Sequence, residues 1–162
     1  MQTNTHAAQN VDHVAEACRA AAAIGDLSAL QKHFALGVPL DASVCSAAAR
    51  HGQLATLQWL RTISCPWTSA TCALAAQGGH LAVLLWAREH ACPWDEWTCI
   101  YAASAGRLEI LQWARAYGCP WNALTIATAE SRGHLHVAQW ATANGCPLPG
   151  EPESVDSDAK AG

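Results

Sequence analysis

The sequence has 162 residues, of which 51% are apolar and only 14% charged, with a formal net charge of −4, enough apolar material to bury the core of one domain. Between Val11 and Leu148 eight Lys or Arg face nine Asp or Glu, and the remaining negative charge comes from Glu151, Glu153, Asp156 and Asp158 against Lys160. This balance argues against nucleic-acid and membrane-surface partners, which select basic patches.

The N-terminus MQTNTHAAQN lacks the charged and apolar regions of a signal peptide, and no apolar run approaches the roughly 20 residues of a membrane span. A soluble, intracellular, cytoplasmic protein is expected. Met1 to Asn10 is polar and without apolar periodicity, and is predicted to be loose and disordered.

From Val11 onward one period organises the chain. Cys65, Cys92, Cys119 and Cys146 are evenly spaced, each followed by Pro, and Val38-Pro39 holds the same place one step earlier. Five repeats result, at 11–37, 38–64, 65–91, 92–118 and 119–145, and Cys146-Pro147-Leu148 starts a sixth. The first repeat carries Lys32 where the later ones place Trp, as suits a terminal unit with one face unpartnered.

Each later repeat opens with Val-Pro-Leu or Cys-Pro-Trp and then a residue able to cap a helix: Asp41, Thr68, Asp95 or Asn122. The first helix of the pair is predicted to end near Gly52, Gly79, Gly106 or Gly133, where glycine permits a left-handed backbone. A second helix starts at Leu54, Leu81, Leu108 or Leu135. In repeat four it reads Leu108, Ile110, Leu111, Trp113, Ala114, an apolar stripe at helical spacing. The fold class is therefore all-α, a solenoid of stacked helical hairpins.

The columns of the repeat divide structural from candidate functional residues. Ala21, Ala48, Ala75, Ala102 and Ala129 form an alanine column that allows close helix approach. Trp59, Trp86, Trp113 and Trp140 form one tryptophan column and Trp67, Trp94 and Trp121 another, which assigns them to packing. The cysteines fall in two columns, with Val38 and Ile126 where a Cys is missing. Neighbours along a column are separated by about 8–10 Å, the helix packing distance, and a disulfide needs about 7 Å or less between Cα atoms. Free thiols in a reducing compartment follow.

The run Ala75-Ala76-Gln77-Gly78-Gly79-His80-Leu81-Ala82-Val83-Leu84 resembles the ankyrin repeat signature, and Gly133-His134-Leu135-His136-Val137 repeats it. The repeats are shorter than the family's usual unit of about 33 residues, and what is missing falls where the family has its β-hairpin finger. The family's Thr-Pro-Leu-His is also absent, with Ala70-Thr71-Cys72-Ala73 in its place. The short Cys-Pro-Trp form resembles the divergent ankyrin repeats of giant DNA viruses, algae and oomycetes, in which case a viral protein would act in the host cell. The resemblance covers Val11 to Leu148 and implies a protein-binding scaffold using the concave face of the array.

On that face the candidates for contacting an unidentified protein partner are the repeat-specific residues Trp97, Tyr101, Leu124, Ser131 and Arg132, since aromatic and Arg side chains dominate interface energetics. The alternative for Trp97 and Tyr101 is packing against neighbouring helices. No phosphate loop, nucleophile elbow or paired metal-binding His motif occurs, so no enzyme and no cofactor is expected. Two other functions compete. One is self-association through repeat five, whose last face has no covering helix pair. The other is a Cys/His metal site, although structural zinc prefers closer pairs than the spacing of Cys65 and Cys72. After Leu148 the acidic segment 149–162 is expected to be disordered.

Overall fold

The computed structural model describes residues 3–148 and 150, with side chains from 12 onward. Among these residues there are ten helices: α1 (Thr3–Ile24), α2 (Leu27–Ala35), α3 (Ala42–Arg50), α4 (Leu54–Thr62), α5 (Ser69–Gly78), α6 (Leu81–Glu89), α7 (Glu96–Ser104), α8 (Leu108–Ala116), α9 (Ala123–Ser131) and α10 (Leu135–Ala143). Consecutive helices pair as five hairpins, and the second helices begin where the glycine-leucine pattern places them. The acidic segment predicted to be disordered lies, apart from Gly150, outside the described residues.

One boundary differs. α1 starts at Thr3 and continues through residues expected to be loose. The stretch up to Ile24 contains no Gly or Pro and is rich in Ala, the strongest helix former, so nothing in it stops the helix.

The local signals act as the chemistry requires. The side chains of Asp41, Asp95 and Asn122 accept from the amides of Ser43, Trp97 and Leu124 at 2.9, 3.1 and 3.0 Å. The Ser43 hydroxyl also bonds Asp41 and holds its carboxyl below the usual range. Thr68 is the exception: it has the extended backbone of a cap, but its side chain makes no capping bond. Between the helices of each pair, Gly25, Gly52, Gly79, Gly106 and Gly133 have φ between 69 and 86°, a region that costs other residues roughly 1–2 kcal/mol.

Four of these glycines serve a second purpose, because the residue opening the next repeat's second helix lies across them. A Cβ on Gly52 would stand 2.6 Å from His80 Nδ1, and one on Gly106 would stand 2.7 Å from His134 Nδ1. Gln53 covers Gly25 in the same way and donates to the Ala23 carbonyl at 3.1 Å; Arg107 covers Gly79 and reaches the Gly78 carbonyl at 3.4 Å. The histidines at these turns therefore act by packing on glycine.

The first helices pack closely on one another in the order α1, α3, α5, α7, α9, whereas no pair of second helices comes as near. The cause is side-chain size. Buried Ala48, Ala75, Ala102 and Ala129 line the first-helix interfaces, while the second helices bring Leu30, Leu57, Leu84 and Leu111 into the core and hold half-buried tryptophans against it. A stack that is narrower on one side curves, and it places the first helices on the concave side.

The tryptophans link each turn to the helix beside it. Trp67 and Trp86, Trp94 and Trp113, and Trp121 and Trp140 meet edge to face with ring centroids 5.9, 5.8 and 6.0 Å apart. Over the turn tryptophans lie Arg61, Arg88 and Arg115, at 4.3, 4.1 and 4.2 Å from the ring centroids. Each of these arginines also donates to the carbonyl of the cysteine that opens the next repeat: Cys65, Cys92 and Cys119.

The cysteines close the joint. The thiols of Cys65, Cys92, Cys119 and Cys146 donate to carbonyls at the start of the preceding repeat's first helix, those of Asp41, Thr68, Asp95 and Asn122, at 3.4, 3.6, 3.4 and 3.3 Å. All eight cysteines are buried and free. The cysteines neighbour one another across the two columns rather than along them: Cys45 lies beside Cys65, Cys72 beside Cys92 and Cys99 beside Cys119, and this neighbour, together with burial, pushes the thiols of Cys45, Cys72 and Cys99 up. Burial raises Cys146 to about 11.

Candidate interaction face

The concave side is built from residues of the first helices that point away from the alanine and cysteine columns. Because the repeat is strict, positions can be followed along the array. One exposed column reads Glu16, Ser43, Ala70, Trp97, Leu124, and the next reads Ala20, Ala47, Leu74, Tyr101, Thr128. Both change character between repeats three and four.

Over repeats one to three Ala20, Ser43, Ala47 and Ala70 are small, and an open groove of about 630 Å³ results, lined among others by Glu16, Arg19, Ala20, Ala47, Arg50 and Leu74. Glu16 and Arg19 pair at 2.5 Å on its rim. Over repeats four and five Trp97, Tyr101 and Leu124 are large. Trp97 is 46% exposed and Leu124 50%, and Trp97 meets Tyr101 edge to face with centroids 5.7 Å apart. Trp97 thus packs along its own helix, one turn from Tyr101, and leaves almost half of its surface to solvent.

The five candidate residues do not form one cluster. Trp97, Tyr101 and Leu124 lie together on neighbouring helices α7 and α9. Ser131 and Arg132 are exposed at the other end of α9, about 10–12 Å beyond Leu124 along the axis. Ser131 donates to the Thr128 carbonyl at 3.0 Å, and Arg132 follows the last turn of α9. The groove over repeats one to three was not anticipated from the sequence, although the run of small residues Ala20, Ala47 and Ala70 at two inner positions is its signature.

The end of the array has its own surface. Leu135 is 59% exposed, and it lines an open hollow of about 400 Å³ with Glu130, Ala138, Gln139, Thr142 and Ala143. None of the described helices is long and apolar enough to cross a membrane.

No protein-family model matches the sequence, and no curated protein matches it. Among solved structures, the human ASB11 ankyrin repeat domain superposes with a TM-score of 0.62 at 17% sequence identity, over 80% of this chain and 69% of that one. The fold of this chain is that of an ankyrin repeat array built from shortened units.

Proposed function

We propose that the chain is a non-catalytic scaffold for protein–protein interaction, with its partner held on the concave, first-helix face. The observation that carries this reading is the placement of Trp97, Tyr101 and Leu124. These residues break the repeat and share one surface, and Trp97 and Tyr101 are of the type that makes interface hot spots. Nothing in their local packing requires an aromatic ring at Trp97, since Ser43 and Ala70 fill the same place in repeats two and three.

The groove over repeats one to three continues this surface, so an elongated partner would contact small residues at one end and the aromatic ridge at the other. Eight buried free thiols suit a reducing compartment, and a cytoplasmic setting belongs to this reading. An affinity pull-down from the native host, comparing wild type with a Trp97→Ala, Tyr101→Ala variant of unchanged melting temperature, tests it. A protein lost only from the variant is expected. Equal recovery by both forms would remove the concave ridge as the site.

A second reading is favoured by the exposed Leu135 and the hollow beside it. Here the last repeat stacks on another copy of the chain. Sedimentation at increasing concentration separates the two, because a concentration-independent monomer contradicts self-association.

A further inference from the structure

The strict period makes the molecule its own control: a residue that departs from its column without a packing reason was placed there for something else. Two such departures, Leu85 and Glu89, meet Tyr117, which holds a freely varying position, away from the concave face, between α6 and α8. Leu85 stands where the other four repeats all have glutamine: Gln31, Gln58, Gln112 and Gln139. Glu89 stands where they have Ala35, Thr62, Ala116 and Ala143. Tyr117 stands where they have Leu36, Ile63, His90 and Asn144.

Together with Arg88, Trp94 and Trp113 these three side chains line an open pocket of about 310 Å³, at the lower end of the size range of small-ligand sites. Its walls are aromatic and aliphatic. The Tyr117 ring lies tilted by 33° over Trp113 with centroids 5.0 Å apart and is 67% exposed. The two charged groups are not equivalent. The Arg88 guanidinium is committed, lying on Trp94 and bonded to the Cys92 carbonyl. The Glu89 carboxylate has no hydrogen-bond or ion-pair partner among the described residues.

Aromatic faces beside an uncommitted carboxylate attract a cation that carries apolar surface, by the ring quadrupole and by charge. A bare ammonium would lose its hydration against Leu85 and the rings without recovering it, whereas a methylated ammonium sheds little water there. A neutral polar ligand such as a sugar could use the Tyr117 hydroxyl and the indole N–H groups but would leave the Glu89 carboxylate without a counter-charge. The molecule already places cations on indole rings at Arg61, Arg88 and Arg115.

We propose that the pocket between α6 and α8 binds a methylated or quaternary ammonium group, held against Trp113, Tyr117 and Leu85 with Glu89 as its counter-charge. The site is separate from the concave face and stands or falls independently of a partner there.

The test is an NMR titration of the full chain with choline and with 3,3-dimethyl-1-butanol, which has the same shape without the charge. Trp113 indole signals should shift with choline while those of Trp140 stay, because the corresponding positions beside Trp140 are Ala116 and Asn144. The neutral analogue should bind about tenfold more weakly, and Glu89→Gln and Tyr117→Ala should each cost about tenfold. Both residues are exposed, and unchanged melting curves verify that the variants fold.

A second arm compares peptides bearing trimethyl-lysine and unmodified lysine. Tighter binding of the methylated peptide than of choline assigns the group to a protein side chain. Equal binding assigns it to the ammonium group alone, and both results support the site. No shift at Trp113, equal affinity for the neutral analogue, or a Glu89→Gln variant with unaltered affinity would overturn it.

Discussion

The two sides of the array follow opposite rules. The side formed by the second helices and the Cys-Pro-Trp turns restates itself where it packs, with Trp67, Trp94 and Trp121 each under an arginine and each against the next tryptophan, and breaks the period only at surface positions such as Leu85 and Glu89. The concave side does not repeat: Ser43, Ala70, Trp97 and Leu124 share one position. Energy explains the division. A residue that must pack between two identical neighbours is fixed by both, while a residue facing solvent is fixed by neither. In such an array, keeping the period marks stability and breaking it marks a candidate site.

The largest effect should come from the repeating side. Trp113→Ala removes contacts to Trp94 and to the core and should cost about 3 kcal/mol, read by urea denaturation. It should leave partner capture by the concave ridge intact wherever the protein is folded. Next come the glycines. Gly106 and Gly133 have similar φ values, 69 and 79°, but only Gly106 lies under a histidine ring. Gly133→Ala should cost about 1 kcal/mol from backbone strain alone. Gly106→Ala should cost more, and His134→Ala should remove the excess.

A change of comparable size in the other direction is expected at the ends of the second helices. Ser64 and Ala91 adopt φ of 58 and 61° where three other repeats have glycine. Ser64→Gly and Ala91→Gly should each stabilise by about 1 kcal/mol, and a loss of stability would mean that their side chains pack in a way that outweighs the strain.

The thiols give a pH dependence. Cys146 is raised from 9.0 to about 11 by burial, and a raised thiol favours the folded form while it stays protonated. Its contribution is complete below about pH 9 and is lost as the pH rises towards 11. The melting temperature should fall across that window, and Cys146→Ala, lower at neutral pH, should fall less.

Much of the fold was legible because the signals recur: glycine turn and leucine start agree in every unit, and a proline turn with a capping residue type opens each of repeats two to five. Three features were not. The start of α1 at Thr3 was not legible because residues 3–10 carry neither a repeat signal nor apolar periodicity, and the helix that crosses them is continuous with the alanine-rich Arg19–Ala23 of repeat one. The Cys45–Cys65 type of pairing joins two different columns and depends on how the first helix of one repeat meets the turn of the next, which no column spacing encodes. Of the candidate site, Trp97, Tyr101 and Leu124 were readable as departures from the period. The groove over repeats one to three was harder to see because it is made of side chains that are absent. Arg132 also departs from the period, whereas Ser131 matches Ser104 of the preceding repeat, and both lie apart from the ridge because they sit at the far end of α9.

The central claim is that two tryptophans of one repeat, Trp97 and Trp113, serve different ends. Thermal unfolding of Trp97→Ala and Trp113→Ala beside the wild type tests it directly. The account predicts a melting temperature for Trp97→Ala within about 2 °C of wild type and a fall of about 10 °C for Trp113→Ala. Equal losses in the two variants would show that Trp97 belongs to the packing and would contradict the division.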